Sequence, residues 1–558
     1  LLRSAYARFL SLLSNRSMEE VWGEKNDFRF LKIVFALIIL VALSAGSNLS
    51  AQVTGDYRSK ADGVWTALST WERFNGSFWA QPTPGEGYPA QYGPPGTVDI
   101  NNNVTLDDNL MSPLNDLNIN AGTLELSSFN FSVSGTTNIY SSLNDGNADG
   151  QVQFFGNIIV SNSATWNSLA SPTLNLLLYG NVTNNSNNVT VVRCRAANNL
   201  IISGAGTMRL DYFEFNGSYT VTNRSTVIID LGLNYNRVTN TLWVNEGTLD
   251  FYGYERNLMT DGEINASAVG NTVNYCASQS QAVIDPVSSY YNLIISGSNT
   301  KTSQGDLDVN GDLTITGSAR LDVGFANNNI YLAGNWINNS INPDPFRERT
   351  ASVTFDGTSQ QTIYNSAGET FYNLTINNSG TGILLADGNV VVSNTLTMSS
   401  GNIDVAGYRM TLGTGTANTG TFSFASGSII GEFERWINTD GVDFLFPVGT
   451  AVYNRSATIN FNSLSSGGSL IGKFNDLDPL EAGLPLNDNG VCIAHTYNDG
   501  YWSFEVNNGL SGTDYDLELV ATGFSLPPID APTRLLTRIN SLNDWDAIGI
   551  HSNATGGN

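Results

Sequence analysis

Short apolar-polar-apolar triplets recur along most of the chain. In one stretch they start at Leu396, Ile403 and Met410 and read Leu-Thr-Met, Ile-Asp-Val and Met-Thr-Leu. Successive side chains of a strand point to opposite faces, so each triplet is a minimal strand with two side chains inward and one outward. Between them lie Ser-Ser-Gly-Asn and Ala-Gly-Tyr, corners made of residues that tolerate positive φ. Strands this short do not suit a sandwich. Three of them fit a coil of about 20 residues stacked on its neighbours through ladders ~4.8 Å apart.

A longer period lies over the short one. Ser-Tyr-Tyr-Asn-Leu-Ile-Ile-Ser-Gly-Ser, ending at Ser298, is matched by Thr-Phe-Tyr-Asn-Leu-Thr-Ile-Asn-Asn-Ser, ending at Ser379, which pairs Asn292 with Asn373. Val273 likewise corresponds to Val353 and Asp322 to Asp404, with a fainter copy at Asp250. A repeat near 80 residues means an array or a solenoid. A string of small β-sandwiches is the competing reading, and the seven-residue rhythm favours the solenoid. The expectation is an all-β chain: a right-handed parallel β-helix over 98–430, with roughly 15 coils and a length of about 70 Å.

The pattern changes at both ends. Residues 52–97 carry Trp65, Trp71 and Trp79 and then a Pro/Gly-rich stretch. An aromatic N-terminal cap is expected there, because the open end of a β-helix exposes unpaired backbone and an apolar interior. From 431 to 558 longer alternating strands replace the triplets, and this tail reads as a C-terminal β-sandwich, truncated at its end.

Composition narrows the partners. The 558 residues carry 25 Lys+Arg against 50 Asp+Glu, a formal net charge of −25, with only 13% charged residues and 41% hydrophobic ones. So acidic a chain is repelled by nucleic-acid phosphates, which excludes nucleic acid as a partner. Ile33 to Ala45 form an apolar run of thirteen after Lys25, Arg29 and Lys32, with Leu49-Ser50-Ala51 as a cleavage site before Gln52. Residues 1–51 therefore read as a secretory signal peptide, with Met18 as the true start and 1–17 as read-through. A buried core helix would need amphipathic flanks, which this run lacks. No later stretch is long and apolar enough to cross a membrane. Cys194, Cys276 and Cys492 are few, odd in number and far apart, which points to isolated buried thiols and not to a disulfide framework or a zinc site.

The Phe-Tyr-Asn-Leu-Thr-Ile-Asn-Asn-Ser-Gly and Asn-Thr-Leu-Thr-Met-Ser-Ser-Gly-Asn-Ile-Asp-Val motifs resemble the repeats of secreted Bacteroidetes-type surface proteins, adhesin-like for the most part. The tail resembles them too, through Asp-Phe-Leu-Phe-Pro-Val-Gly-Thr-Ala-Val-Tyr-Asn-Arg and Gly-Tyr-Trp-Ser-Phe-Glu-Val. The resemblance implies a secreted or cell-surface location on the outer-membrane exterior. It also implies a C-terminal type IX sorting domain, whose absence here agrees with truncation.

Candidate chemistry is sparse. Both histidines, His495 and His551, lie in the tail, so no His-based triad can be assembled within the repeats. β-Helix lyases and hydrolases work with outward carboxylates and a nearby Arg or Lys. The best local match is Arg209, Asp211 and Glu214, near Arg193 and Arg195, although two acids three apart on one strand face opposite sides. For Ca²⁺, the one cofactor the chain suggests, Asp145, Asn147 and Asp149 alternate before Gly150, but Gly156 stands where a bidentate Glu is expected. Asp306, Asp308 and Asn310 match on paper, yet Leu307 and Val309 alternate with them as in a strand. Trp65, Trp71 and Trp79 could stack on sugars if exposed; as a cap they would be core. Two functions follow. The first is an exported adhesin-like or structural repeat protein that contacts an extracellular polysaccharide or a cell-surface component. The second is a β-helix polysaccharide lyase or glycoside hydrolase.

Overall fold

The computed structural model describes residues 52–145, 150–168, 175–254, 258–524 and 528–555. The chain is all-β, 1% helical, and most of it winds into a β-solenoid of about 15 turns. One turn shows the construction. Leu307–Val309, Leu313–Ile315 and Ser318–Asp322 lie on three successive faces, and the next turn repeats them as Ile330–Leu332, Trp336–Asn338 and Phe346–Arg347. Each strand pairs in parallel with its counterpart one turn on, Leu307 with Ile330, Leu313 with Trp336 and Leu321 with Phe346.

The triplets behave as their pattern predicts. Leu396, Met398, Ile403, Val405, Met410 and Leu412 are all buried. The corners between them turn at Gly401 (φ 90°) and Gly407 (φ 92°), a backbone that a side chain would strain. Cross-turn register then aligns buried side chains into columns, such as Leu307, Ile330, Val353, Leu374 and Leu396. Aromatic rings fill the first turns edge to face. Trp65, Phe131, Phe154 and Trp166 follow one another at centroid spacings of 6.2, 6.4 and 6.1 Å.

Polar side chains inside the solenoid are hydrogen-bonded from turn to turn. Asn223, Asn245 and Asn271 are fully buried; Asn223 Nδ2 donates to Asn245 Oδ1 at 2.9 Å, and Asn245 Nδ2 to Asn271 Oδ1 at 3.2 Å. Asn245 Nδ2 also reaches the carbonyls of Gly247 and Thr272, both at 3.0 Å. Asn245→Ala should therefore cost about 2–3 kcal/mol by stranding these groups. Hydrogen exchange should show that loss at 245–248 and 271–272, while distant turns keep their protection.

The parallel register begins earlier than residue 98. Tyr57–Ser59 already pairs with Val98–Ile100, and Gly63–Val64 with Val104–Thr105. On its other side Tyr57–Ser59 pairs antiparallel with Trp71–Phe74, which pairs with Trp79–Ala80, so the first edge is not left bare. At the far end the expected break at 430 falls inside one strand. Ile429–Ile437 pairs in parallel with the preceding turn and antiparallel with Gly468–Asn475, which in turn pairs with Tyr501–Asn507. A second antiparallel sheet holds Asp443–Phe446, Ala457–Ser466 and Ser511–Leu519.

Glu434 ties the two regions together. Its Oε1 accepts from Ser469 Oγ at 2.6 Å and from Asn507 and Asn508 at 3.3 Å, while Oε2 takes Arg409 and Thr411. Among the described residues, no helix is long and apolar enough to cross a membrane. Cys194 and Cys276 are buried free thiols, and burial pushes the Cys276 thiol up to about 12. Cys492 departs from the expected burial: it lies exposed on the hairpin of Leu486–Asp488 and Val491–Ile493, which leaves it outside the solenoid core.

Candidate functional site

The outward face of the solenoid is built from the middle residue of each triplet and from the corners. Its charged groups find each other along the axis. Arg209 makes two bonds to Asp230 at 2.6 and 2.7 Å, Arg224 meets Glu246 at 2.6 Å, and Arg409 meets Glu432 at 2.7 Å. Arg237 with Asp261, Arg320 with Asp344 and Arg349 with Asp322 do the same. Each pair joins one turn to the next. A single exposed pair is worth about 0–1 kcal/mol, so their stiffening effect lies in repetition.

Arg209, Asp211 and Glu214 do not converge. Arg209 is engaged by Asp230. Glu214 is almost fully buried, with Arg195 Nε at 2.6 Å and Arg193 Nη1 at 3.7 Å. The strand Thr207–Phe215 runs over two faces, because the strand Asn188–Ala196 beneath it stacks its first half on Thr165–Ser168 and its second on Asn175–Leu178; the register shift opposite Asp211 places the extra residue in the next strand, at Asp230 and Leu231. Asp211 remains half-buried on the outside, where burial, ahead of repulsion from Asp230, raises its carboxyl above the usual range. An accessible acid pair is not formed by these three residues.

The tryptophans are corrected in part. Trp65 and Trp71 cannot offer a face to a sugar, because both are sealed in the core 4.8 Å apart, with Trp65 Nε1 donating to Pro89 O and Trp71 Nε1 to Trp65 O. Trp79 is half-buried, with the Arg58 guanidinium 4.5 Å above its ring and Phe74 5.4 Å away. Arg58 covers one face of this ring.

Of the Ca²⁺ triplet, Asn147 and Asp149 lie outside the described residues. Asp145 points inward from Ser142–Asp145, is 1% exposed, and receives Ser168 Oγ at 3.0 Å, while its Oδ1 has no partner among the described residues. Burial, the largest effect, raises its carboxyl to about 7. A ligand in an outward calcium loop would face the other way. Asp306 and Asn310 are used by the neighbouring turns, through Asn329 N at 2.7 Å and Ser289 Oγ at 2.7 Å. No group of three His, Cys, Asp or Glu that could hold a metal ion occurs among the described residues.

Sequence reasoning missed a set of buried clamps. Gln281 Nε2 donates to the carbonyls of Phe251 and Gly253, and its Oε1 accepts from Ala277 N. Eighty residues on, Gln361 does the same with Leu332, Gly334 and Gly357. Lys301 Nζ then fills a cage of three carbonyls, Ala277, Gln279 and Ser298, at 2.7, 2.7 and 2.8 Å, and burial lowers its pKa to about 8. In the next repeat the amide of Asn378 takes this place, bonding the carbonyl of Ser359, the counterpart of Gln279. The shared Ser-Gln-Ser-Gln and Ser-Gln-Gln segments were the signal that could have marked both glutamines.

No protein-family model matches the chain, and neither do the curated proteins or the solved structures compared with it.

Proposed function

We propose that the chain is an exported, non-catalytic surface protein whose solenoid serves as a stiff spacer and a long contact face for extracellular polysaccharide or a neighbouring cell surface. The observation that supports this reading most is the pairing of outward arginines with acids one turn away. Those groups reinforce the rod and do not converge on a substrate. In this reading the parallel crossovers wind right-handed, as such connections do. The antiparallel strands at Trp71–Phe74 and Trp79–Ala80 act as the N-terminal cap. The two antiparallel sheets of the tail, with Phe446 and Phe504 5.9 Å apart, act as a small β-sandwich closing the other end. Binding would arise from many weak contacts repeated along the face, with avidity from repetition.

The test is to incubate the purified protein, with and without Ca²⁺, against plant, algal and bacterial polysaccharides, scoring both retention and newly formed chain ends. Retention without new ends is the expected result. Release of product would overturn the reading in favour of a β-helix lyase or hydrolase.

A further inference from the structure

The Phe-Pro-Val-Gly-Thr motif has a structural role that its sequence does not disclose. Ile429 N donates to Pro447 O at 2.7 Å and Val448 bridges Ile429 in parallel, so the motif lays one more rung on the end of the solenoid. The chain then turns outward through Thr450–Arg455. This loop is held firmly: Thr450 N bonds Tyr453 O at 2.9 Å, Asn402 Nδ2 bonds Ala451 O at 3.0 Å, and Asn454 Nδ2 bonds Gly427 O at 2.7 Å. Beside it lies an open cavity of about 340 Å³, lined by Thr450, Ala451, Val452, Tyr453, Arg455 and Asp476.

The lining is chemically mixed. Tyr453 is 41% exposed, and from behind it rests on Gly523, where an added Cβ would come within 2.7 Å of the ring. Arg455 is buried, stacked on Tyr453, Phe474 and Phe524, and anchored through Nε to Thr522 O and Nη1 to Asp499 O. The Asp476 side chain is 71% exposed, with its carboxylate 3.7 Å from Arg455 Nη1, too long for a hydrogen bond. The site thus offers a fixed donor, an acceptor free to adjust, and one apolar ring face.

We infer that this cavity is a subsite for a single neutral hexopyranose, with the C–H face of the sugar on Tyr453 and adjacent hydroxyls shared between Asp476 and Arg455. An anion would meet Asp476 and a chain of net charge −25, and a cation would meet Arg455; a polyhydroxylated neutral ring satisfies both groups. The inference rests on the glycan-contact reading and gives it a specific place.

The test is a saturation-transfer NMR titration of the protein with methyl glucosides, galactosides and mannosides, with methyl galacturonide and inorganic phosphate alongside. Saturable binding of at least one neutral sugar with Kd on the order of 1–10 mM is expected. Asp476→Asn, at an exposed position, and Tyr453→Ala should each weaken it at least about tenfold, a loss of ~1.4 kcal/mol. Absence of saturable neutral-sugar binding, equal binding in both variants, or tighter binding of galacturonide or phosphate would each overturn the inference. If polysaccharide retention survives such a result, only the subsite falls; loss of retention by the unaltered protein would remove the wider reading as well.

Discussion

Replacing Glu369 with alanine is expected to destabilise the solenoid by about 3–5 kcal/mol, concentrated around two turns. Glu369 is 6% exposed, and its Oε2 accepts from Trp336 Nε1 at 2.8 Å, Asn338 Nδ2 at 2.9 Å and Asn365 Nδ2 at 3.2 Å; Oε1 accepts from Thr370 N at 3.2 Å. Alanine would leave these buried donors without an acceptor, and each such group costs about 1–3 kcal/mol. Burial raises the carboxyl of Glu369, and the hydrogen bonds oppose that rise. Glu369→Gln keeps one acceptor oxygen against Trp336 and Asn338, so it should lose only about 1 kcal/mol. Because each turn of a solenoid contacts chiefly its neighbours, the defect should stay local. Hydrogen exchange should show early opening at 336–338 and 365–371 with the first turns unaffected. Unchanged exchange at these segments in the alanine variant would show that the network contributes little.

Asp145→Asn is expected to stabilise the protein at pH 8 and to flatten its stability between pH 4 and pH 7. The folded carboxyl sits at about 7, against an ordinary value of 3.8, because burial disfavours its charged form; the hydrogen bond from Ser168 Oγ opposes that rise and repulsion from Glu125 adds to it. A raised folded pKa means that the native state holds the proton more tightly than the unfolded chain. The favourable contribution is therefore complete below pH 4, declines as pH rises through 7, and is gone above it. The interval corresponds to roughly 4 kcal/mol. Burial also raises the carboxyls of half-buried Asp99 and buried Glu369 above their ordinary values. The informative quantity is thus the difference between wild type and variant, read as denaturant midpoints at pH 5 and pH 8. Parallel pH dependences for the two proteins would show that Asp145 does not set it.

Much of the fold was legible because its information is local. In a strand of three residues the alternation of side chains is fixed by backbone geometry, so Leu396, Met398, Ile403 and Val405 declared their inward direction in the sequence. Glycine at the corners could be read for the same reason, since Gly401 and Gly407 occupy backbone conformations that other residues avoid. The ends were less legible. Trp65 and Trp71 had the composition of either a cap or a sugar platform. Burial separated the two readings, and burial depends on the turn at 98–105 that packs over Tyr57–Ser59 and Gly63–Val64.

The candidate site was least legible, for a reason that lies in the stacking. Side chains meet when they occupy the same place in successive turns, and the residue offset between turns varies with each corner. It is 19 residues for Arg195 and Glu214 but 27 for Arg349 and Asp322. No sequence spacing therefore identifies which arginine neutralises which acid, or that Arg209 is claimed by Asp230 and Glu214 by Arg195. Tyr453, Arg455 and Asp476 are joined by still less regular means, the antiparallel return of the chain after the last turn. Local alternation and glycine chemistry made the solenoid a property of the sequence, because both act within a few residues. The partners of its charges and the cavity at its end belonged to tertiary structure, because they depend on the summed lengths of the intervening corners and on how the chain folds back.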